Sequence, residues 1–433
     1  MKWWQTGLLV GWLTMLIAIC GASVIGVVWY VGTEELANDS DEVLAEADIV
    51  DNRLVVLSTD GNIFTVSSDG ENRVQLTDDA SRKHLYSYPT WSPDGSMIAF
   101  VEVIRENSDM RSALRVVSAS GEVLQQVPTE FPAFYLYWNP LSEKLAFLSN
   151  WENDMALRML DVSAKAQEAT TVREGMPFFF SWEPTGDKML AHIGGDLLTF
   201  LQPSGEQEPL DVTTGPFQAP HWSHNGQKLA FVSQGDENEY ILNVSDAQGE
   251  KVITLAARKG AFSFNWSPSN EHIAYSYTER NVGLASLGPL WVHDTETHRA
   301  WELSKSPVVA FFWSPDGKRL AFLRPEWHEP VQRAPEAAPL RQDPQPWLRW
   351  HIWDGEKTYP LTLFVPTDAF LDDYLRYFDQ YAQSISLWSP DSQMLLYAGL
   401  SESGLSGIWV LPVEQNSQAE LIASGILAGW SPR

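Results

Sequence analysis

Few residues of this chain have the types and spacing that catalysis or metal binding would require. His221 and His224 form the densest histidine pair, but residues three apart on a strand that enters a turn point to different faces, which disfavours a shared metal. The other candidate is an acidic cluster: Asp368, Asp372, Asp373 and Asp379. This cluster lacks the alternate oxygen ligands and the glycine of a calcium loop, and is more typical of a solvated helix face. We therefore predict no metal and no cofactor.

A serine hydrolase signature is also missing. A nucleophile elbow of the form G-x-S-x-G would have to lie between a strand and a helix of an α/β-hydrolase domain. The nearest match, Gly-Leu-Ser-Gly at 404–407, has the wrong spacing and falls between two predicted strands. The sequence therefore favours a non-enzymatic protein. The alternative is an enzyme or small-ligand binder in which groups from distant segments converge on a central channel.

Composition narrows the choice of partners. The formal net charge is −27, with 29 Lys and Arg against 56 Asp and Glu, so the clustered bases that bind a phosphate backbone are scarce. We predict no nucleic-acid partner and interpret the acidity as a source of solubility, with an acidic binding surface as the alternative. Cys20 is the single cysteine, which excludes a disulfide within the chain and a cysteine-based zinc site.

A short recurring phrase organises the rest of the chain. Its clearest copy is FFWSPDGKRLAF at 311–322, which predicts a strand ending in Trp313, a Ser-Pro-Asp-Gly turn and a second strand. The copies are marked by eight tryptophans: Trp91, Trp138, Trp182, Trp222, Trp266, Trp313, Trp388 and Trp430. Since they recur at one place in the phrase, we interpret them as packing residues. We interpret the aspartates of the turns as turn-stabilising side chains: Asp94, Asp316 and Asp391.

The spacing of the copies predicts the fold. A period of roughly 40 to 47 residues is typical of propeller blades. Counting each phrase as one blade predicts an all-β, single β-propeller of about eight four-stranded blades, with seven as the alternative because the Trp182 copy is degenerate. Strands predicted over 53–58, 62–67 and 73–77 have no phrase before them, and the phrase at 425–430 has no strands after it. We predict that these terminal strands complete one blade and close the ring.

The phrase Trp-Ser-Pro-Asp-Gly-x-x-Ile-Ala-Phe at 91–100 resembles the PD40, or WD40-like, repeat of TolB-type β-propellers. It is similar to the propeller domains of the dipeptidyl peptidase IV and prolyl oligopeptidase families. The resemblance covers roughly 51–433 and implies a propeller fold, whereas such propellers serve many unrelated functions. TolB itself has an added N-terminal α/β domain. This chain has a predicted anchor there instead, so we do not expect a role in the Tol system.

The N-terminal segment predicts a membrane anchor. Residues 8–31 are uncharged and mostly apolar over a length that can cross a bilayer as a helix, whereas the core of a cleaved signal peptide is usually shorter. Lys2 precedes this run, which favours a cytoplasmic N-terminus. A lipoprotein modified at Cys20 is the disfavoured alternative, because Ile19 stands where a small residue is needed.

These observations predict three parts. Residues 1–31 form a single-pass transmembrane anchor in the cytoplasmic membrane, and residues 32–50 form an acidic tether. Residues 51–433 form a monomeric propeller on the extracytoplasmic side. We expect this propeller to be a platform that binds or assembles a protein partner, in the manner of TolB-type proteins.

Two insertions interrupt the repeat before Trp388. The first, 325–346, is rich in Pro and Ala, and the second, 367–383, has the apolar spacing of an amphipathic helix with Thr367 or Asp368 as its N-cap. Function is often carried by such loops. The candidate contact surface consists of aromatic residues in or beside the insertions: Trp327, Trp347, Trp350, Phe370, Tyr374 and Tyr377. The alternative is that these side chains cover the propeller's rim.

Overall fold

The computed structural model describes most of the chain from residue 52 onward. The described ranges are 52–106, 109–152, 154–195, 197–215, 218–237, 239–278, 288–326 and 347–432. The predicted anchor (1–31), the tether (32–50) and all but the first two residues of the 325–346 insertion lie outside them. Within these ranges no helix has the length and apolar character needed to span a membrane.

The described residues form antiparallel sheets of short strands, as the repeated phrase predicts. Six sheets have four strands and the seventh has seven. Sheet 1 is β1 (Arg53–Leu57), β2 (Ile63–Ser67), β3 (Val74–Gln75) and β31 (Leu427–Trp430). Sheet 2 is β4 (His84–Trp91), β5 (Met97–Glu106), β6 (Asp109–Ser118) and β7 (Val123–Thr129). Sheet 3 is β8 (Ala133–Trp138), β9 (Lys144–Trp151), β10 (Asp154–Asp161) and β11 (Thr170–Glu174).

The following sheets continue the same order. Sheet 4 is β12 (Phe178–Trp182), β13 (Met189–Ile193), β14 (Leu197–Leu201) and β15 (Gln207–Pro209). Sheet 5 is β16 (His221–Trp222), β17 (Lys228–Gln234), β18 (Glu239–Asp246) and β19 (Ile253–Lys259). Sheet 6 is β20 (Ala261–Trp266), β21 (His272–Thr278), β22 (Gly288–Asp294) and β23 (Ala300–Val308).

Sheet 7 combines the last repeats of the chain. It contains β24 (Ala310–Trp313), β25 (Leu320–Glu326), β26 (Trp347–Trp353), β27 (Thr358–Pro366), β28 (Met394–Ser401), β29 (Ser406–Pro412) and β30 (Glu420–Ala423). The short segment 386–388 is joined to its neighbours by isolated bridges, Trp388 to Leu395 and Ser386 to Trp430. It therefore links sheet 7 to β31.

The strands that end in a repeated tryptophan, called here the Trp strands, pack together. Those of successive repeats are in contact: β31 with β4, β4 with β8, β12 with β16, β16 with β20, and β20 with β24. All eight tryptophans are buried. The indole of Trp313 donates a hydrogen bond to the carbonyl of Asn265 (3.3 Å), and that of Trp388 donates to Phe312 (3.0 Å). Each of these bonds links a repeat to the one before it.

The turn after each Trp strand is held by its own side chains. In the copy after Trp313, Ser314 donates to the Asp316 carboxylate (2.6 Å), which also accepts from the Lys318 amide (3.1 Å). Partial burial acts to raise the pKa of Asp316, but the bonds from Ser314 and Lys318 and the charge of Arg319 outweigh it, so the pKa lies below its usual value. The carboxylate therefore stays charged at neutral pH and stabilises the turn.

Sheet 1 contains strands from both ends of the described chain. β1 pairs with β31 in antiparallel register, with Leu54 opposite Trp430 and Leu57 opposite Leu427. The Ser431 amide donates to the Arg53 carbonyl (2.8 Å). The strands predicted over 53–77 and the phrase at 425–430 thus share one sheet.

Removing residues 424–433 should destabilise the protein far more than the loss of ten exposed residues would. The deletion takes away β31 and exposes the edge of β1, together with apolar surface that Leu427 and Trp430 now cover, each worth about 1.5–3 kcal/mol. We expect the thermal midpoint to fall by about 5 °C or more. Calorimetry of the deletion beside a variant lacking residue 433 alone tests this. Equal midpoints would contradict the role of the terminal pairing.

Candidate functional site: the inserted segment before the last repeat

The segment 367–386, called here the inserted segment, is the main departure from the repeat. A single amphipathic helix is predicted over 367–383, but the structure has three short turns instead. They are a π-helical turn at Ala369–Tyr374, a 3-10 turn at Leu375–Tyr377 and a four-residue α-helix, α1, at Phe378–Tyr381. Thr367, one of the two predicted N-cap residues, accepts a hydrogen bond from the Phe370 amide (3.1 Å) at the start of the first turn, whereas Asp368 makes no such bond.

The aromatic side chains of the inserted segment pack against Trp strands of different sheets. The Phe378 ring lies 4.9 Å from that of Phe311 on β24. The Tyr381 ring lies 5.1 Å from that of Tyr135 on β8. The two rings therefore contact strands of different sheets, sheet 7 and sheet 3.

Hydrogen bonds tie the same segment to further Trp strands. Its polar groups contact backbone or hydroxyl groups of β4, β8 and β12. The bonds are Thr90 Oγ1 to the Ser384 carbonyl (2.7 Å), Tyr135 Oη to the Gln380 carbonyl (3.0 Å), Gln380 Nε2 to the Phe180 carbonyl (3.1 Å), and Tyr381 Oη to the Phe134 carbonyl. The inserted segment is therefore bonded to strands of sheets 2, 3 and 4 and packed against sheets 6 and 7.

The residues predicted as a contact surface lie in different environments. Trp327 lies outside the described residues. Four others are buried, with exposed fractions of 5% or less: Trp347, Trp350, Phe370 and Tyr374. Tyr377 is 47% exposed. Of the described members, Tyr377 is thus the one that a partner can reach without rearrangement.

Asp379 is a buried carboxyl within α1. Burial raises its pKa to about 6, although the backbone amides of Asp379 and Gln380 hydrogen-bond to it and act to lower the pKa. Of the strands packed against α1, β20 and β24 carry no titratable side chain, and β8 carries the tyrosines Tyr135 and Tyr137. The nearby cation Arg376 is paired with Asp372 (2.6 Å). No salt bridge to Asp379 is present among the described residues.

Two clefts lie beside residues 382–388. The first has a volume of about 190 Å³ and is lined by Trp266, Trp313 and Trp388 among others. The second has a volume of about 230 Å³ and is lined by Trp91, Trp138 and Trp430 among others. Their linings combine tryptophans and prolines of the repeat with polar side chains, such as His224 and Asn265 in the first cleft and Thr90 and Gln383 in the second.

The two histidines of the pair, His221 and His224, lie in different environments. His221 is buried with its ring 5.4 Å from that of Phe264, and burial, reinforced by the nearby His224, lowers its pKa to about 3. His224 lines the first cleft. In the part of the chain that the structure describes, no group of three or more His, Cys, Asp and Glu side chains is placed to hold a metal ion.

A buried ion network on sheet 2 was not predicted from the sequence. The Glu102 carboxylate accepts hydrogen bonds from His84 Nε2 (2.7 Å), Arg115 (2.6 Å) and Gln126 (2.7 Å). His84 Nδ1 lies 3.2 Å from Asp79. Each group therefore has a protein partner, so the buried carboxylate charge of Glu102 is compensated within the sheet. These residues come from the four strands of sheet 2 and from the loop before β4, and the strand register aligns those on the strands.

Comparison with known proteins supports a TolB-like β-propeller. No family model matches the sequence. The chain is 23% identical over 285 residues to dipeptidyl-peptidase 5 of Porphyromonas gingivalis, spanning 60% of this chain and 40% of that protein. It is 26% identical over 242 residues to the Tol-Pal system protein TolB of Chromobacterium violaceum, spanning 53% and 49%. The chain thus spans less than half of each relative. A crystal structure of the eukaryotic initiation factor shares the fold, with a TM-score of 0.53, 13% identity, and coverage of 88% of this chain and 99% of that one.

Replacing the buried carboxyl by an amide, Asp379→Asn, should raise the free energy of unfolding at pH 7 by about 3 kcal/mol. This is the free energy that corresponds to a pKa raised from 3.8 to about 6. Because the folded pKa is above the unfolded one, the native state binds the proton more tightly. The wild type should therefore lose stability as the pH rises from about 4 to about 6.

Urea unfolding across pH 4 to 7 measures this difference. The variant should lack the wild-type decline over that interval and exceed it in stability at neutral pH. Asp187→Asn, a change at an exposed aspartate, is the matched control and should keep the wild-type profile. A decline of the same size in Asp379→Asn would contradict the assignment to this carboxyl.

Proposed function

We propose that this chain is a non-enzymatic β-propeller that serves as a protein-binding or assembly platform, held at the cytoplasmic membrane with its propeller on the extracytoplasmic side. The observation that carries this proposal is the position of the inserted segment. It occupies the space among the Trp strands, which is where a propeller would otherwise open a central channel for a ligand.

The inserted segment is a fixed part of the interior. Phe370, Tyr374, Phe378 and Tyr381 are each 8% exposed or less. Exposing four such side chains would cost about 6–12 kcal/mol, a large part of the stability of a typical domain. Displacement by an incoming substrate is therefore unfavourable, and recognition of a partner falls to the outer surface.

The direction of the strands indicates which surface carries the inserted segment. Successive strands of a repeat alternate in direction, so β27 ends on the face opposite the turns that follow the Trp strands. The inserted segment starts there at Thr367, and its exposed residue Tyr377 follows within its 3-10 turn. We assign the contact surface to the part of the inserted segment around Tyr377.

The same contacts support a propeller of eight blades closed by its two ends. Six sheets are single blades, and sheet 7 divides into β24–β27 and β28–β30, which the segment with Trp388 completes through its bridge to Leu395. The pairing of β1 with β31 and the contact of β31 with β4 support closure by the termini. Eight blades fit these groupings better than seven.

The alternative function is a small-ligand binder or an enzyme, such as a hydrolase or lyase, that uses what remains of the central channel. The two aromatic clefts of about 190 and 230 Å³ beside residues 382–388 are the observation in its favour. Their linings contain no carboxylate and one histidine, His224, so acid–base groups are sparse. We therefore rank it second.

A photo-crosslinking amino acid at position 377 should capture the partner in cells, because this exposed ring is where we place the contact. Purified protein added to a lysate should compete for the adduct in proportion to its concentration, and its Tyr377→Ser variant should compete at least tenfold less well. The matched control is a crosslinker at Leu405, also 47% exposed. Adducts of equal yield at both positions, or equal competition by the variant, would contradict this surface.

The membrane tether is supported by the apolar run 8–31 and the acidic segment 32–50. Deleting residues 1–31 should move the protein from the membrane fraction to the soluble fraction, while the full chain should resist extraction by high salt and carbonate. Immunoblots of the two fractions measure the change. Recovery of the full chain in the soluble fraction would rule out the anchor.

A further inference from the structure

One position of the repeat, six residues after the tryptophan, carries a basic or histidine side chain in five copies: Lys144, Lys188, Lys228, His272 and Arg319. Four of these side chains have partners. Lys144 lies 4.0 Å from Glu143, Lys188 lies 4.2 Å above the Phe200 ring, His272 stacks on Trp313 at 6.2 Å, and Arg319 donates to the Ser392 carbonyl (2.7 Å). The Lys228 ammonium has no ion pair, hydrogen bond or ring contact among the described residues.

The difference between Lys188 and Lys228 lies in the ring beneath the ammonium. Lys188 Nζ is 4.2 Å from the centroid of Phe200 and 5.4 Å from that of Trp222. The strand registers of sheets 4 and 5 place Val244 at the position equivalent to Phe200. Sheet 5 thus keeps the lysine and lacks the aromatic ring.

The residue paired with this position is also smaller in sheet 5. Phe200 lies opposite Leu190, whereas Val244 lies opposite Ala230. Both members of the pair are therefore smaller in sheet 5. Ala230 is fully buried in the core, whereas Val244 borders a cleft.

A cleft of about 270 Å³ opens at this place. Val244 and Leu255 provide apolar surface, and Lys228 and Lys251 provide positive charge. His298, from the turn between β22 and β23 of the neighbouring sheet, lines the opposite side. The cleft therefore combines apolar walls with two ammonium groups.

The lining contains one carboxylate, Asp246. It is engaged by Lys251 (3.2 Å) and by the Glu250 amide (2.8 Å), and Lys251 is itself largely exposed. Lys228 is consequently the cation that remains available to an incoming anion.

We propose that this cleft binds a small aromatic carboxylate, whose ring takes the place that Phe200 holds in sheet 4 and whose carboxylate pairs with Lys228. An ammonium above a ring is favourable, as Lys188 demonstrates within the same chain. An ammonium–carboxylate hydrogen bond is stronger than a neutral one. A cavity on the order of 150 Å³ holds benzene, so this cleft has room for a ring and a short acidic side chain.

Titration of the full-length protein in detergent with 3-phenylpropionate tests the site. We expect saturable binding of one equivalent with a Kd on the order of 1 mM, which is usual for so small a ligand. Lys228→Met removes the charge and should weaken binding at least tenfold. Lys318→Met, in the turn after Trp313, is the matched control and should bind as the wild type does.

Two further variants test the comparison between the sheets. Val244→Phe should fill the cleft and abolish binding, while Phe200→Val should open a second site and raise the stoichiometry from one to two. Thermal midpoints close to that of the wild type establish that each variant is folded. If a cleft variant does not fold, the test of the site rests on the binding measured for Lys228→Met.

Three results would overturn the proposal. They are the absence of saturable binding to the wild type, unchanged binding to Lys228→Met, and equal affinity for the neutral analogue 3-phenylpropanol. The last result would show that the cleft takes an apolar ring without using Lys228. None of the three results concerns protein recognition around Tyr377. The test of the cleft at Lys228 is therefore independent of the test of the proposed function.

Discussion

The structure depends on one packing constraint: the Trp strands have to be buried on every side. A short four-stranded sheet has two apolar faces and two open edges, and it is stable only when neighbours cover them. Successive repeats cover each other's faces through their tryptophans, as in the bond from Trp388 to the Phe312 carbonyl. The edges beside the Trp strands remain, and the inserted segment covers several of them by bonding to Phe134 and Phe180.

This arrangement explains why the inserted segment is irregular. Its aromatic residues are spaced like those of an amphipathic helix, but a regular helix would present all of them on one face. Here Phe378 packs on sheet 7 and Tyr381 on sheet 3. The backbone changes from π-helical to 3-10 to α-helical within thirteen residues, Ala369–Tyr381. These changes let the rings contact strands of different sheets.

The sequence predicted those features that are local. The strand predicted over 62–67 is found at Ile63–Ser67, and the Ser-Pro-Asp-Gly turn after Trp313 forms through bonds within the turn itself. The burial of Phe370 and Tyr374 and the partnerless state of Lys228 depend on residues far away in the chain. They follow from strand register and from contacts between sheets, which neither spacing nor composition encodes. The prediction of a helix at 367–383 differs from the structure for the same reason.

In a repeat protein, the other copies of the repeat show what to expect at each position, so a copy that differs can be recognised. Where a position has the same environment in every copy, packing is a sufficient explanation, and the repeated tryptophans are all buried. Two positions differ. Asp379 places a carboxyl among aromatic rings, where burial raises its pKa to about 6, although an apolar or amide side chain would fit the interior at less expense of stability. Lys228 keeps the base of its repeat without the ring that Lys188 covers. Neither feature follows from the packing of the repeat.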